Sequence, residues 1–118
     1  MENHMIRKIV NAEDVIGVDV KNTQGDNLGE VKAIMIDKLS GQVAYVVLSY
    51  GGFLGLGDKL FALPWKIFSY DKTEDCFRLA LSEEKLKKSP GFDKDHWPDM
   101  SNPIWGDAIH KYYGTHDH

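Results

Sequence analysis

The sequence predicts a mainly β fold: a small antiparallel barrel of about six strands, followed by one or two short C-terminal helices. Three observations carry this reading. Short apolar runs alternate with Gly-, Asp- and Asn-containing turns at close spacing, the pattern of compact all-β domains. The second of these runs changes the phase of its apolar alternation partway along. The third, residues 43–48, is apolar without a break, as a strand covered on both sides requires.

The elements follow in order. Asn11 precedes Ala12-Glu13-Asp14, where a side-chain oxygen can accept from a free backbone N–H and two acids suit a helix N-terminus, so a single capped turn is expected. A first strand over 18–23 alternates Val18 and Val20 against Asp19 and Lys21, and Gly25 supplies the turn after it. The second strand, 28–37, begins with Val31 and Ala33 as its apolar positions and ends with Ile34 and Ile36. Because strand faces alternate strictly, this predicts a bulge near Lys32-Ala33 or burial of both faces. A fourth strand over 59–63 ends at Pro64, which lacks a ladder donor. A short strand over 67–70, a polar turn over 71–75 and a last strand over 77–81 complete the set. Ser82 caps a helix over 83–88, with Glu83 and Glu84 in its first turn and lysines in its last.

Beyond Pro90 the composition shifts. Residues 92–100 are aromatic and acidic without periodicity and are expected to run extended over the surface. Asn102-Pro103 starts a helix near 103–113, and Trp105, Ile109, Tyr112 and Tyr113 form its apolar stripe. So short a helix needs a surface to dock on, either its own barrel or a second copy of the chain. The organisation expected is an N-terminal extension over 1–11, a barrel over 12–88 and a C-terminal extension over 89–118.

Between the third and fourth strands lies an unusual stretch, Gly51-Gly52-Phe53-Leu54-Gly55-Leu56-Gly57-Asp58, leading through Lys59 to Pro64 and Trp65. Gly51, Gly52, Gly55 and Gly57 read as structural, freeing the backbone to turn or to pass close to another strand. Gly52 and Gly57 have the first spacing of a phosphate loop, but Asp58 stands where a lysine is needed and would repel phosphate. Phe53, Leu54 and Leu56 are too apolar for a solvated loop, and together with Trp65, Trp97, Trp105, Ile109, Tyr112 and Tyr113 they form the candidate interaction surface.

Composition narrows the function classes. The chain has 118 residues and a net charge of −4, which argues against a nucleic-acid partner. Cys76 is the only cysteine, no apolar run approaches the roughly 18 residues of a membrane span, and no leader pattern begins the chain; a cytoplasmic protein without membrane insertion is expected. Acids beside Cys76 disfavour its thiolate. His110, His116 and His118 lie close together near the C-terminus with Asp117, and His96 stands beside Trp97, but neither group has a structural-site spacing. No metal, cofactor or catalytic residue is expected.

The residues 15–20, the turn at Gly25, Leu28-Gly29-Glu30-Val31, Asp37 with Ser40-Gly41, the apolar run over 43–48 and the glycine-rich stretch into Pro64-Trp65 together resemble a PRC-barrel domain. The resemblance spans about 12–82. The segment 89–114, with Pro90 to Asp93, Trp97-Pro98 and Tyr112 to Gly114, is similar to the C-terminal extension of small stand-alone bacterial members. The resemblance implies a six-stranded barrel that supports assembly by binding protein and carries no chemistry of its own. The expectation is a non-enzymatic protein–protein adaptor that self-associates as a homodimer. The alternative is a small-ligand-binding protein or minor enzyme using the barrel mouth, with His96 and nearby acids as candidate groups. A weaker alternative is an RNA- or ribosome-associated role, as in the ribosome-maturation factor RimM, which carries the same domain.

Overall fold

The computed structural model describes residues 8–51 and 59–115. Asn11 caps α1 (Ala12–Val15), its side-chain oxygen accepting from Glu13 N at 3.3 Å. Six strands follow: β1 (Asp19–Asn22), β2 (Asn27–Asp37), β3 (Gln42–Tyr50), β4 (Lys59–Pro64), β5 (Phe68–Asp71) and β6 (Cys76–Leu79). A 3-10 turn, Trp65–Ile67, sits between β4 and β5 where Pro64 stops the ladder. Two helices close the chain, α2 (Glu83–Lys87) and α3 (Pro103–Tyr113).

The strands form one sheet in the order β4-β3-β2-β1-β6-β5, curled into a half-barrel. The mainly β expectation holds, with one joint that local pattern does not disclose. β1 and β6 pair in parallel, Val20 beside Phe77 and Asn22 beside Leu79, whereas every other neighbouring pair is antiparallel. The β5–β6 hairpin docks on β1 through its second strand, which runs in the direction of β1.

The bulge expected near Lys32-Ala33 is present: the β2–β3 register slips between Val31 and Ala33, and again between Met35 and Ile36. Each slip bends the strand and turns the next side chains to the other face. Val31 and Ile34 thus point into the half-barrel, while Met35 reaches the opposite side.

Two apolar clusters result. The inner one fills the curl with Val20, Leu28, Val31, Val46, Leu48, Tyr50, Phe61, Leu63 and Leu79, closed by Leu81 and by Leu86 of α2. The outer one lies on the far face of β3 and β4, where Tyr45 and Ala62 meet Ile109 of α3. β3 is therefore covered on both sides, which explains its unbroken apolar run.

The segment after Pro90 is pinned where it meets the sheet. Phe92 N–H donates to the Leu60 carbonyl oxygen (2.9 Å) and Leu60 N–H to that of Phe92 (2.8 Å), so β4 has a bridge along its outer edge. The contact is close enough that a Cβ on Gly91 would lie 2.8 Å from Phe61 Cε1 and 2.9 Å from the Leu60 carbonyl oxygen. α3 starts as expected, with Asn102 Oδ1 accepting from Ile104 N (2.9 Å) and Pro103 in the first turn, and ends at Gly114 in the left-handed region.

Candidate interaction surface

The aromatic residues expected to form one surface divide into two groups. Those of the C-terminal segment are largely engaged by their own chain. Trp105 packs edge-on against Tyr45 with ring centroids 5.1 Å apart, and Ile109 is 2% exposed between the helix and the sheet. Tyr113 packs against both clusters, and Tyr112 donates its hydroxyl to the Lys85 carbonyl oxygen at 3.1 Å. Trp97 leans on Phe92 at 5.2 Å and stays partly exposed. Phe53, Leu54 and Leu56, with Gly52, Gly55 and Gly57, lie outside the described residues, and Gly51 is exposed at the end of β3.

His110, close in sequence to His116 and His118, is buried in α3, its Nε2 3.3 Å from the Tyr45 hydroxyl and its Nδ1 2.6 Å from Thr115 Oγ1. It is a partner in the helix-to-sheet seam. His116 and His118 lie outside the described residues.

The second group surrounds Trp65. Its ring stacks on Phe68 at 6.0 Å and meets Phe77 edge-on at 5.9 Å; Phe77 also takes the edges of Phe68 and Tyr70 at 5.9 and 5.7 Å. Trp65 is 41% and Tyr70 39% exposed, so this quartet presents an aromatic face to solvent. Local chemistry builds it. Pro64 ends β4, the 3-10 turn swings Trp65 over β5, and Asp71 Oδ1 accepts from Thr73 N (2.9 Å) and Glu74 N (3.1 Å) to set the hairpin turn. That turn places Tyr70 opposite Phe77 and Phe68 opposite Leu79. Phe68, Tyr70 and Phe77 escape a search for helical stripes; the i, i+2 spacing of Phe68 and Tyr70, matched by Phe77 and Leu79 across a polar turn, is the signal that finds them.

The other side of the β6 end of the sheet is polar and charge-balanced. Arg78 bonds Asp71 Oδ2 (2.9 Å), Glu74 Oε1 (3.1 Å) and the Asn22 carbonyl oxygen (2.9 Å), and Lys21 Nζ lies 3.0 Å from Glu74 Oε1. The Arg78 guanidinium holds the Asp71 carboxyl below its usual range, helped by the turn N–H groups. Asp71, Glu74 and Cys76 bring ligand-type atoms within 4.8 Å of one another, but the two carboxylates are taken up by Arg78 and Lys21. Cys76 is buried, and burial is the main cause that pushes its thiol up; Asp71 and Glu74 add less, and Arg78 and Lys21 oppose them.

Elsewhere, a shallow hollow of about 340 Å³ is lined by Asp19, Asn27, Gly29, Glu30, Ser49 and Gly51, and a neighbouring one reaches Tyr50 and Glu83. Neither takes in His96, which is exposed and pairs with Asp93 at 2.7 Å.

Three tyrosines are expected to ionise late. Burial, then donation to Glu83 at 2.5 Å, pushes Tyr50 up to about 12. Donation to Asp75 does the same for Tyr70, also to about 12. Burial raises Tyr113 to about 12, and the Ser89 hydroxyl beside it acts in the opposite direction. These folded values lie above the ordinary 10.0, so the stability they contribute is fully present below pH 10 and is lost as pH rises through about 12. Tyrosinate absorbance of the native chain should therefore show a late-titrating fraction coincident with alkaline unfolding. In denaturant, all tyrosines should titrate together near the ordinary value.

The architecture is that of a small curled β domain with a helical strap over one face. A family model for the PRC-barrel domain matches residues 8–86, more than half of the chain, and the chain belongs to that family. α3 and its aromatic stripe lie beyond the matched region. No curated protein matches the chain. Among the described residues no helix is long and apolar enough to cross a membrane.

Proposed function

We propose that this chain is a non-enzymatic adaptor: a PRC-barrel that binds protein, its own kind included, through the face around Trp65. One observation carries the reading. The C-terminal aromatics are largely used to cover β3 and β4, whereas Trp65, Phe68, Tyr70 and Phe77 form a contiguous aromatic face with two rings about 40% open to water. Exposed aromatic clusters of this kind supply the anchoring residues of protein interfaces. A net charge of −4 and the neutralised cluster around Arg78 fit a protein partner better than a nucleic acid. The lone cysteine suits a cytoplasmic setting.

Trp65→Asp tests the proposal. Trp65 stacks on the surface of the inner cluster, so the variant should keep its fold while binding at this face weakens by on the order of thirtyfold. Sedimentation of the wild type and the variant, with affinity capture of partner proteins, reads both outcomes. A wild-type chain that stays monomeric at every concentration and captures no protein through Trp65 removes the adaptor reading.

A further inference from the structure

We propose that the occupant of the Trp65 face is a second copy of this chain, joined by antiparallel pairing of the two β5 strands about a two-fold axis at Ser69. The inference rests on the adaptor reading and names its partner.

The sheet has two terminal strands, β4 and β5. The outer edge of β4 bears the Phe92 bridge; β5 has no outer neighbour in the sheet among the described residues. Natural sheets guard such an edge with proline, charged side chains or a bulge, or by keeping it short, as the four residues of β5 do. Phe68–Asp71 contains no proline, its register against β6 is unbroken, and its one charged side chain is held by Arg78.

The strand is also self-complementary. With Ser69 opposite Ser69, Phe68 of each copy faces Tyr70 of the other, giving two aromatic cross-strand pairs on the face that already carries Trp65 and Phe77. A two-fold interface requires that reciprocity, in which residue i meets j and j meets i. The small serine at the axis lets the backbones approach.

Charge selects the same region. Residues 65–79 contain Lys66, Lys72 and Arg78 against Asp71, Glu74 and Asp75, a balance of zero in a chain whose net charge is −4. Two acidic copies repel one another over the rest of their surfaces and least here. A partner of strong opposite charge would find no complementary field on this face, whereas an identical neutral one does.

The test uses the full chain and Ser69, which is exposed and outside both apolar clusters. Ser69→Lys sets two ammonium groups opposite each other at the axis and should weaken the dimer by on the order of tenfold in sedimentation. Ser69→Cys should form a covalent dimer under mild oxidation, because directly opposed antiparallel residues have Cα atoms about 4.5–5.5 Å apart, within disulfide reach. The wild type, whose only cysteine is buried, is the control. A dimer that ignores Ser69→Lys and gives no Ser69→Cys cross-link uses another surface and overturns the pairing. A monomeric wild type that still binds a different protein through Trp65 overturns it too, and leaves of the adaptor reading only the binding of other proteins. A monomer that binds nothing defeats both.

Discussion

Gly29→Ala is expected to destabilise the chain by about 3 kcal/mol or more, a large share of the stability of a domain this size. Gly29 lies in β2 with φ +137°, and a Cβ built there falls 2.0 Å from the Ser49 carbonyl oxygen and 3.0 Å from its carbon. Both penalties act together, because the backbone conformation disfavours any side chain and the space belongs to another strand. Relief would require β3 to move. Ser49 is held against Leu60 of β4, and the adjoining Tyr50 is 2% exposed with its hydroxyl on Glu83. β2 cannot yield instead, since Gly29 is paired with Val20 of β1, which is fully buried. Urea unfolding of the purified variant measures the effect. A loss below about 1 kcal/mol would mean that the two strands part more easily than their packing implies.

The glycines that drew notice in the sequence were those of the run after β3, because four of them cluster there. Gly29 sits in a plain strand and carries no such signal, and its need for glycine arises from a residue twenty positions away. That contrast runs through the whole molecule. The bulge in β2, the double burial of β3 and the caps at Asn11, Ser82 and Asn102 were legible because each is a local consequence of alternation or of a free N–H. The parallel β1–β6 joint was not, since nothing near Val20 or Phe77 specifies which strand of a hairpin will dock. Of the candidate surface, Trp65 was legible by its size and its place after Pro64. Its neighbours Phe68, Tyr70 and Phe77 became a face only through a hairpin register and a 3-10 turn. The burial of His110 was hidden for the same reason: the docking of α3 on the sheet, and not its closeness to His116 and His118 in sequence, turns its ring toward Tyr45.

Ile109→Ala should cost about 3 kcal/mol and, more usefully, should act on one part of the chain. Ile109 is the buried anchor of α3, enclosed with Tyr45 and Ala62 and ringed by Met35, Ala44, Phe92, Met100, Trp105 and Tyr113. Shortening it leaves a void where the helix meets the sheet, and an 11-residue helix has little stability apart from such docking. Hydrogen-exchange protection should fall first in α3 and at the Leu60–Phe92 bridge, with the inner cluster around Leu48, Phe61 and Leu79 retaining its protection. Trp105 emission should shift toward that of a solvated indole as its contact with Tyr45 loosens. The two faces of the sheet also fix what should not change. α3 docks on the far face of β3 and β4, whereas Phe68 and Phe77 of the Trp65 face pack on the inner cluster, so Ser69→Cys cross-linking should survive in the Ile109→Ala background. Loss of protection spread evenly over both clusters would show that strap and half-barrel unfold as one unit. Loss of the cross-link would show that the strap supports the β5 edge as well as covering β3 and β4.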